Sequence, residues 1–214
     1  MEVTRRAALG AGAGAALGGL PWRSAKAQAA NTGKIALLTD FSGTYRDVTG
    51  PTKLACLRQA AAEMSNRGFN IEIVFGDNQN RPDVGSNLTR QWIDRDSVDV
   101  VVDGGASSVA LAVNDIIRDK NKVFLNTSSA TSDLTGRACT PNTVHWTYDT
   151  WMLANGTGKA IVKSGGNTWF FLTADYAFGH ALERDTEAVV TQNGGRVVGK
   201  VRTPFPTQDF SSFL

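Results

Sequence analysis

The chain has 214 residues, of which 42% are hydrophobic and 20% charged, and its formal net charge is +2. That hydrophobic content excludes a disordered chain and allows one sizeable domain or two small ones. So small a net charge, with no basic stretch interleaved with aromatics, gives no electrostatic basis for nucleic-acid binding, and two cysteines are too few for a disulfide framework.

The first 29 residues read as an export signal. Arg5 and Arg6 open it, a weakly apolar run (AALGAGAGAALGGL) follows as far as Pro21, and Ala25, Ala27 and Ala29 are spaced as in an A-x-A cleavage site. Cleavage is expected near Ala27 or Ala29, which places the mature chain in the periplasm. The paired arginines point to the twin-arginine route, against which Ala8 lacks the usual large apolar residue. The run is too short and too rich in Gly and Ala to span a bilayer. Gly10–Gly14 is not read as a nucleotide loop, because no strand precedes it.

In the mature chain the first strand is Ile35–Leu38, followed by a turn-rich loop through Phe41–Tyr45. A helix follows Pro51, with Leu54, Leu57, Ala61 and Met64 as its buried stripe. A second strand, Ile71–Phe75, leads to the polar loop Gly76–Asn80. Asp83 is the expected cap of the next helix, whose Val84, Leu88 and Trp92 repeat at i, i+4 and i+8.

The stretch Val98–Thr135 organises the rest. Two apolar runs, Val98–Val102 and Val123–Leu125, flank an amphipathic segment carrying Val109, Val113, Ile116 and Ile117, which reads as strand, helix, strand. Each strand ends in small hydroxyl residues: Ser107 and Ser108 after the first, Thr127–Ser132 after the second. In a parallel α/β sheet such loops emerge side by side at the carboxyl edge, where ligands bind.

Beyond a turn-rich connection at Arg137–Asn142, Val144–Tyr148 is strand-like and Asp149 can cap a helix from Trp151 to about Lys163. Trp169–Leu172 and Arg196–Arg202 are strands flanking a helix at Ala181–Gln192, and Asp209–Leu214 looks like a first helical turn. Trp146 and Trp169 are assigned to the core. The order of elements predicts an α/β protein of two Rossmann-like doubly wound lobes, the second incomplete. The boundaries are 1–29 signal, 30–147 first lobe and 148–214 crossover and partial second lobe. Two strands with their helices do not easily bury a core of their own, which gives the expectation of a truncated chain.

Several stretches, in one unbroken order, carry a resemblance to a known family. They are Ala36–Tyr45 (ALLTDFSGTY), Gly76–Asp83 (GDNQNRPD), Gly104–Val113 (GGASSVALAV), Thr127–Thr135 (TSSATSDLT), Asp175–Gly179 (DYAFG), Asn193–Val197 (NGGRV) and Thr207–Leu214 (TQDFSSFL). In these the mature chain resembles the solute-binding proteins of ABC transporters, in the type I, leucine/isoleucine/valine-binding-like group, whose members are about twice as long. The resemblance implies a monomeric bilobed clamshell that captures a small solute and delivers it to a membrane permease, without a cofactor or a metal. It implies that Ser107 and Ser108 present hydroxyl and backbone groups to a ligand carboxylate, and that Ser129, Ala130 and Thr131 hold its polar head. Phe178, with Tyr176 beside it, would be an aromatic wall; Asp149 and Trp151 would face the cleft at the crossover; and Tyr45 would sit near the ligand from the first loop.

Elementary chemistry agrees with this assignment, since neutral hydroxyls and backbone N–H groups at a helix start can hold a carboxylate without a counter-ion. Plainer roles remain open at each position: Ser107 or Ser108 as N-cap, the Thr127–Ser132 hydroxyls as their own turn, and Tyr176 and Phe178 as packing. Amino acids, amides and aromatic acids all fit as solutes. An exported sensory module would share the fold, and no fused signalling segment is present in the sequence to mark one. An α/β enzyme is disfavoured, because Gly105–Val109 lacks the second glycine of a G-x-S-x-G elbow and His145 and His180 are the only imidazoles. No His, Cys and carboxylate cluster has metal-ligand spacing. Cys56 and Cys139 are expected to be unpaired, although an oxidising periplasm permits a bridge.

Overall fold

The computed structural model describes residues 31–213; the expected export signal lies outside them. Strand β1 (Asn31–Thr39) is followed by α1 (Gly50–Ser65), β2 (Phe69–Asp77), α2 (Pro82–Asp94), β3 (Val100–Asp103), α3 (Ser107–Asp119), β4 (Val123–Asn126) and β5 (Thr143–His145). The five strands form one sheet in the order β2-β1-β3-β4-β5, with every pair parallel. The chain winds outward from β1 to β2 and then crosses to β3 on β1's other side. The loops after β1 and β3 therefore diverge at the carboxyl edge, which is where a doubly wound sheet opens a crevice.

Alternate strand residues face opposite sides. Ala36, Leu38, Val101 and Phe124 meet Trp92 of α2 and Val109, Ala110, Val113 and Ile117 of α3 in one buried cluster. Leu37 and Val102 point the other way, towards Leu57 of α1. The α1 stripe is in the predicted register but only Leu54 is fully buried; Leu57, Ala61 and Met64 are half-buried. Asp83 does not cap α2. Arg81 occupies the cap position and Pro82, pre-set for a first helical turn, displaces Asp83 into that turn.

A second, two-stranded parallel sheet pairs β6 (Thr168–Ala174) with β7 (Arg196–Thr203). It is preceded by α4 (Thr150–Leu153), a π-helical stretch (Ala154–Gly158) and α5 (Lys159–Lys163), and α6 (Ala177–Gln192) connects its strands. Asp149 caps α4 as expected, its Oδ1 accepting from Met152 N at 2.7 Å. The outer face of this sheet is thinly covered: Phe170, Leu172 and Val198 are all exposed. Asp209–Phe213 closes a hydrogen-bonded turn through Phe213 N and Phe210 O at 2.9 Å, without becoming a helix. Trp146 is not part of the core. It lies just past β5 and is 77% exposed, because the chain has left the edge strand at His145 and no element covers the ring. Trp169 is half-buried, its Nε1 donating to Gly166 O at 2.7 Å. Cys56 and Cys139 are free and exposed. No helix among the described residues is long and apolar enough to cross a membrane.

Phe124 is fully buried at the centre of the first core. Phe124→Ala is expected to cost about 3–5 kcal/mol, measured as a lowered midpoint of chemical denaturation.

Candidate functional site

Three loops meet at the carboxyl edge of the first sheet, and each is shaped by a buried polar side chain. After β1, the buried Asp40 accepts from Ser42 N (3.2 Å) and Gly43 N (2.6 Å) through Oδ1 and from Tyr45 N (2.9 Å) through Oδ2, which sets the direction of Tyr45. Asp77 at the end of β2 supports the same loop, accepting from Phe41 N at 2.9 Å and Ser42 Oγ at 2.6 Å. Burial works to raise the Asp77 pKa, but these donors outweigh it and the net displacement is downward.

After β3 the backbone takes three consecutive positive φ values: +87° at Asp103, +88° at Gly104 and +66° at Gly105. The two glycines are required for space as well as conformation, since a Cβ would fall 2.8 Å from Phe124 Cζ at Gly104 and 2.9 Å from Asn78 Nδ2 at Gly105. Asp103 has no such excuse, and a non-glycine residue held there costs of order 1–3 kcal/mol. The turn delivers the chain into α3, whose N-cap is Ala106. Neither serine is spent on the cap: Ser107 is already the first helical residue, and no side chain caps the first turn. The first N–H groups of α3 are therefore left without intrahelical or capping acceptors.

After β4 the buried Asn126 folds the third loop, its Oδ1 accepting from Ser129 N at 3.0 Å and its Nδ2 donating to Ser129 O at 2.7 Å. His145 Nε2 meets the same carbonyl at 2.8 Å. The second and third loops are tied together: Ser129 Oγ donates to Gly105 O at 2.7 Å, and Thr131 N donates to Ser107 Oγ at 3.2 Å.

These loops enclose a cavity of about 180 Å³, walled on its far side by Tyr148 and, from the β6–α6 corner, by Tyr176 and Phe178. Six of the residues singled out in the sequence line it: Tyr45, Ser107, Ser129, Ala130, Tyr176 and Phe178. The other four do not. Ser108 lies one position along α3 and is half-buried. Thr131 is fully buried and caps the 3-10 turn Ser132–Leu134, its Oγ1 accepting from Asp133 N at 3.3 Å. Asp149 caps α4, and Trp151 is 62% exposed on that helix. The sequence reading missed Val48, Thr49, Gly105, Ala106, Ser128 and Tyr148 as lining residues. Ser128 and Gly105 lay inside stretches already singled out, whereas nothing in the local sequence marks Tyr148.

No ionisable side chain other than tyrosine lines the cavity. Its polarity comes from hydroxyls and from the start of α3, an arrangement that favours a bound anion. The phenol oxygens of Tyr45 and Tyr176 hydrogen-bond to each other. Phe205, beyond β7, stacks on the Tyr176 ring with centroids 4.4 Å apart and planes 10° from parallel. A second link joins α6 to the first sheet's loops: Asp185 Oδ2 accepts from Ser132 Oγ and Thr150 Oγ1, both at 2.6 Å, and Arg184 pairs with Asp133 at 2.9 Å. A larger cavity of about 530 Å³ lies between α4–α5, α6 and β6, lined mainly by Leu153, Ile161, Trp169, Phe171 and Leu182. It is the under-filled side of the two-stranded sheet and has no convergent set of loop donors. Among the described residues no group of His, Cys, Asp and Glu is placed to hold a metal ion.

With this geometry in view, the comparisons with known proteins are specific. A family model described as periplasmic binding protein matches residues 32–214. The chain belongs to the periplasmic binding protein family. A solved periplasmic binding protein from Burkholderia mallei is 47% identical, superimposes with a TM-score of 0.81, and aligns over 86% of this chain and 50% of its own. A solute-binding protein of an ABC transporter from R. palustris, solved in complex with benzoate, is 26% identical with a TM-score of 0.76, over 84% of this chain and 50% of its own. A Leu/Ile/Val-binding protein homolog 6 from Brucella abortus (strain 2308) is 25% identical over 194 residues, 89% of this chain and 49% of that protein. The chain thus spans about half the length of the relatives it matches. The fold expected from sequence, the type I periplasmic binding protein fold, is the one observed.

Burial, then the Tyr45 hydroxyl, push the Tyr176 phenol pKa well above its ordinary 10.0; burial likewise raises that of Tyr45, against a lowering by Tyr176. A phenol whose folded pKa is raised contributes stability that is present below pH 10 and is lost as pH rises through the folded value. Spectrophotometric titration is expected to show these two tyrosines ionising late, with unfolding accompanying their ionisation. Tyr45→Phe should bring Tyr176 ionisation to lower pH while leaving it above that of free tyrosine.

Proposed function

We propose that this chain is the solute-recognising part of an extracytoplasmic ABC importer component, and that the cavity at the sheet edge takes a small carboxylate with a compact apolar body. The observation that carries this reading is a cavity with no ionised lining side chain, hydroxyl-rich at one end beside the uncapped start of α3 and aromatic at the other. A carboxylate fits the first end, because the helix start supplies partial positive charge and free N–H groups without the desolvation cost of a buried cation. A planar or branched apolar body fits the second, between Tyr45, Tyr148, Tyr176 and Phe178. One relative is solved in complex with benzoate and another is a Leu/Ile/Val-binding protein homolog, and both solute types have this shape.

In this reading Ser107 donates to the carboxylate, Ser129 and the backbone around Ala130 hold the polar head, and Tyr45, Tyr176 and Phe178 enclose the body. Ser108 would act through its backbone N–H, and Thr131 by holding Ser107 in place. The lobes, residues 30–147 and 148–214, would close about the crossover near Asp149 and Trp151. Closure favours the bound state because the solute touches both lobes only when they meet. The protein would work as a monomer in the periplasm, after loss of the first 29 residues, and would hand its solute to membrane permease subunits.

A thermal-shift panel of L-leucine, L-isoleucine, L-valine, benzoate, 4-hydroxybenzoate and simple amides is expected to give a saturable stabilisation by a carboxylate and none by the amides. Ser107→Ala should then weaken that solute by about tenfold, the loss of one buried hydrogen bond, measured by calorimetry. Stabilisation by amides alone, or an affinity untouched by Ser107→Ala, would contradict the assignment.

A further inference from the structure

Asp103 does not touch the cavity, yet it is the most unusual residue near it. Its side chain is fully buried, its φ of +87° lies where few non-glycine residues are found, and three donors converge on one of its oxygens. Oδ1 accepts from Lys53 Nζ of α1, from Thr127 Oγ1 at 3.0 Å and from Ser128 Oγ at 2.6 Å. Oδ2 is buried and has no partner among the described residues. A buried, strained carboxylate with an unsatisfied oxygen opposes folding, and such features gather where geometry is needed for function.

The geometry is that of hydroxyl protons. A serine has one proton to donate and two lone pairs to offer. Ser128 lines the cavity, and both acceptors near its Oγ, Asp103 Oδ1 and Gly105 O (3.1 Å), lie on the side of the second loop. Its one proton goes to the shorter contact, Asp103 Oδ1, since Gly105 O already accepts from Ser129 Oγ at 2.7 Å, and only its lone pairs are left to offer the cavity. The Ser129 proton is likewise held by Gly105 O, whereas Ser107 accepts from Thr131 N and keeps its proton free.

We propose that Asp103 is a positioning residue of the solute site: it takes the Ser128 proton, so that Ser128 meets the solute as an acceptor. The proposal rests on the solute-binding reading above. It also sharpens the solute class, because a cavity with donors at Ser107 and the α3 start and acceptors at Ser128 and Ser129 selects a carboxylate that also carries an N–H or O–H donor.

The test is a double-mutant cycle on the 214-residue chain: wild type, Asp103→Gly, Ser128→Ala and the double variant, with Asp103→Asn as the conservative replacement. Glycine accepts the positive φ without strain, and Lys53, whose side chain is 22% exposed, can turn to solvent. Calorimetric titration uses L-leucine and 4-hydroxybenzoate as donor-bearing probes and benzoate as the probe without a second donor. Asp103→Gly and Ser128→Ala are each expected to weaken the tighter donor-bearing probe about tenfold, the double variant no more than Ser128→Ala alone. Asp103→Asn, which keeps an acceptor oxygen, should restore most of the affinity, and benzoate should bind the wild type more weakly than that probe. Losses that multiply in the double variant, or an unchanged affinity in Asp103→Gly, would overturn the proposal. If the wild type binds none of the three, the solute-binding reading falls by itself, and melting temperatures of the same proteins decide Asp103: non-additive shifts uphold its hold on Ser128, additive shifts overturn it.

Discussion

The parallel register of β3 on β4 is the constraint from which the site follows. Val100, Val101 and Val102 stand opposite Val123, Phe124 and Leu125, so the chain leaves both strands at one edge and its two hydroxyl-bearing loops emerge as neighbours. The Gly105 carbonyl then receives the Ser129 hydroxyl, and Asp103 the Ser128 hydroxyl, which ties the loops into one surface. A slip of one residue would turn Val101 and Phe124 away from α2 and α3 and empty the core. Core packing and site geometry are thus fixed by the same pairing.

In the proposed reading, recognition on this surface depends on where protons are held rather than on opposed charges. Hydroxyls whose protons are taken by carbonyls and by Asp103 become acceptors, and the α3 start supplies donors. A neutral lining avoids the desolvation cost of burying an ion pair and leaves selectivity to the direction of each hydrogen bond. The aromatic wall comes from the other sheet's corner, so Tyr45 and Tyr176 join the two halves at the cavity rim, with Phe205 stacked behind. Asp185, holding Ser132 and Thr150, makes a second joint beneath it.

Much of this was legible in the sequence, for identifiable reasons. The apolar runs and the Val109, Val113, Ile116, Ile117 stripe are local signals with a fixed period, and they located β3, α3 and β4 to within two residues. The hydroxyl clusters marked loops that the structure brings together around one cavity, through Ser107, Ser128 and Ser129. Finer assignments failed where a neighbour decided the outcome. Pro82 moved Asp83 off its cap, and the end of β5 at His145 left Trp146 in solvent. Tyr148 and Phe205 were invisible because their roles come from tertiary placement alone, and the role of Asp103 required knowing that Lys53, Thr127 and Ser128 converge on it.

The most direct measurement of the central claim is the backbone amide spectrum of isotopically labelled protein titrated with the carboxylate that stabilises it best. Saturable shifts should be largest at Ser107, Ser108, Val109 and Ala130, with slowed exchange at the first turn of α3. Shifts confined to the β6–α6 cavity around Trp169 and Leu182, with the Ser107–Val109 amides unmoved, would show that the solute site lies elsewhere.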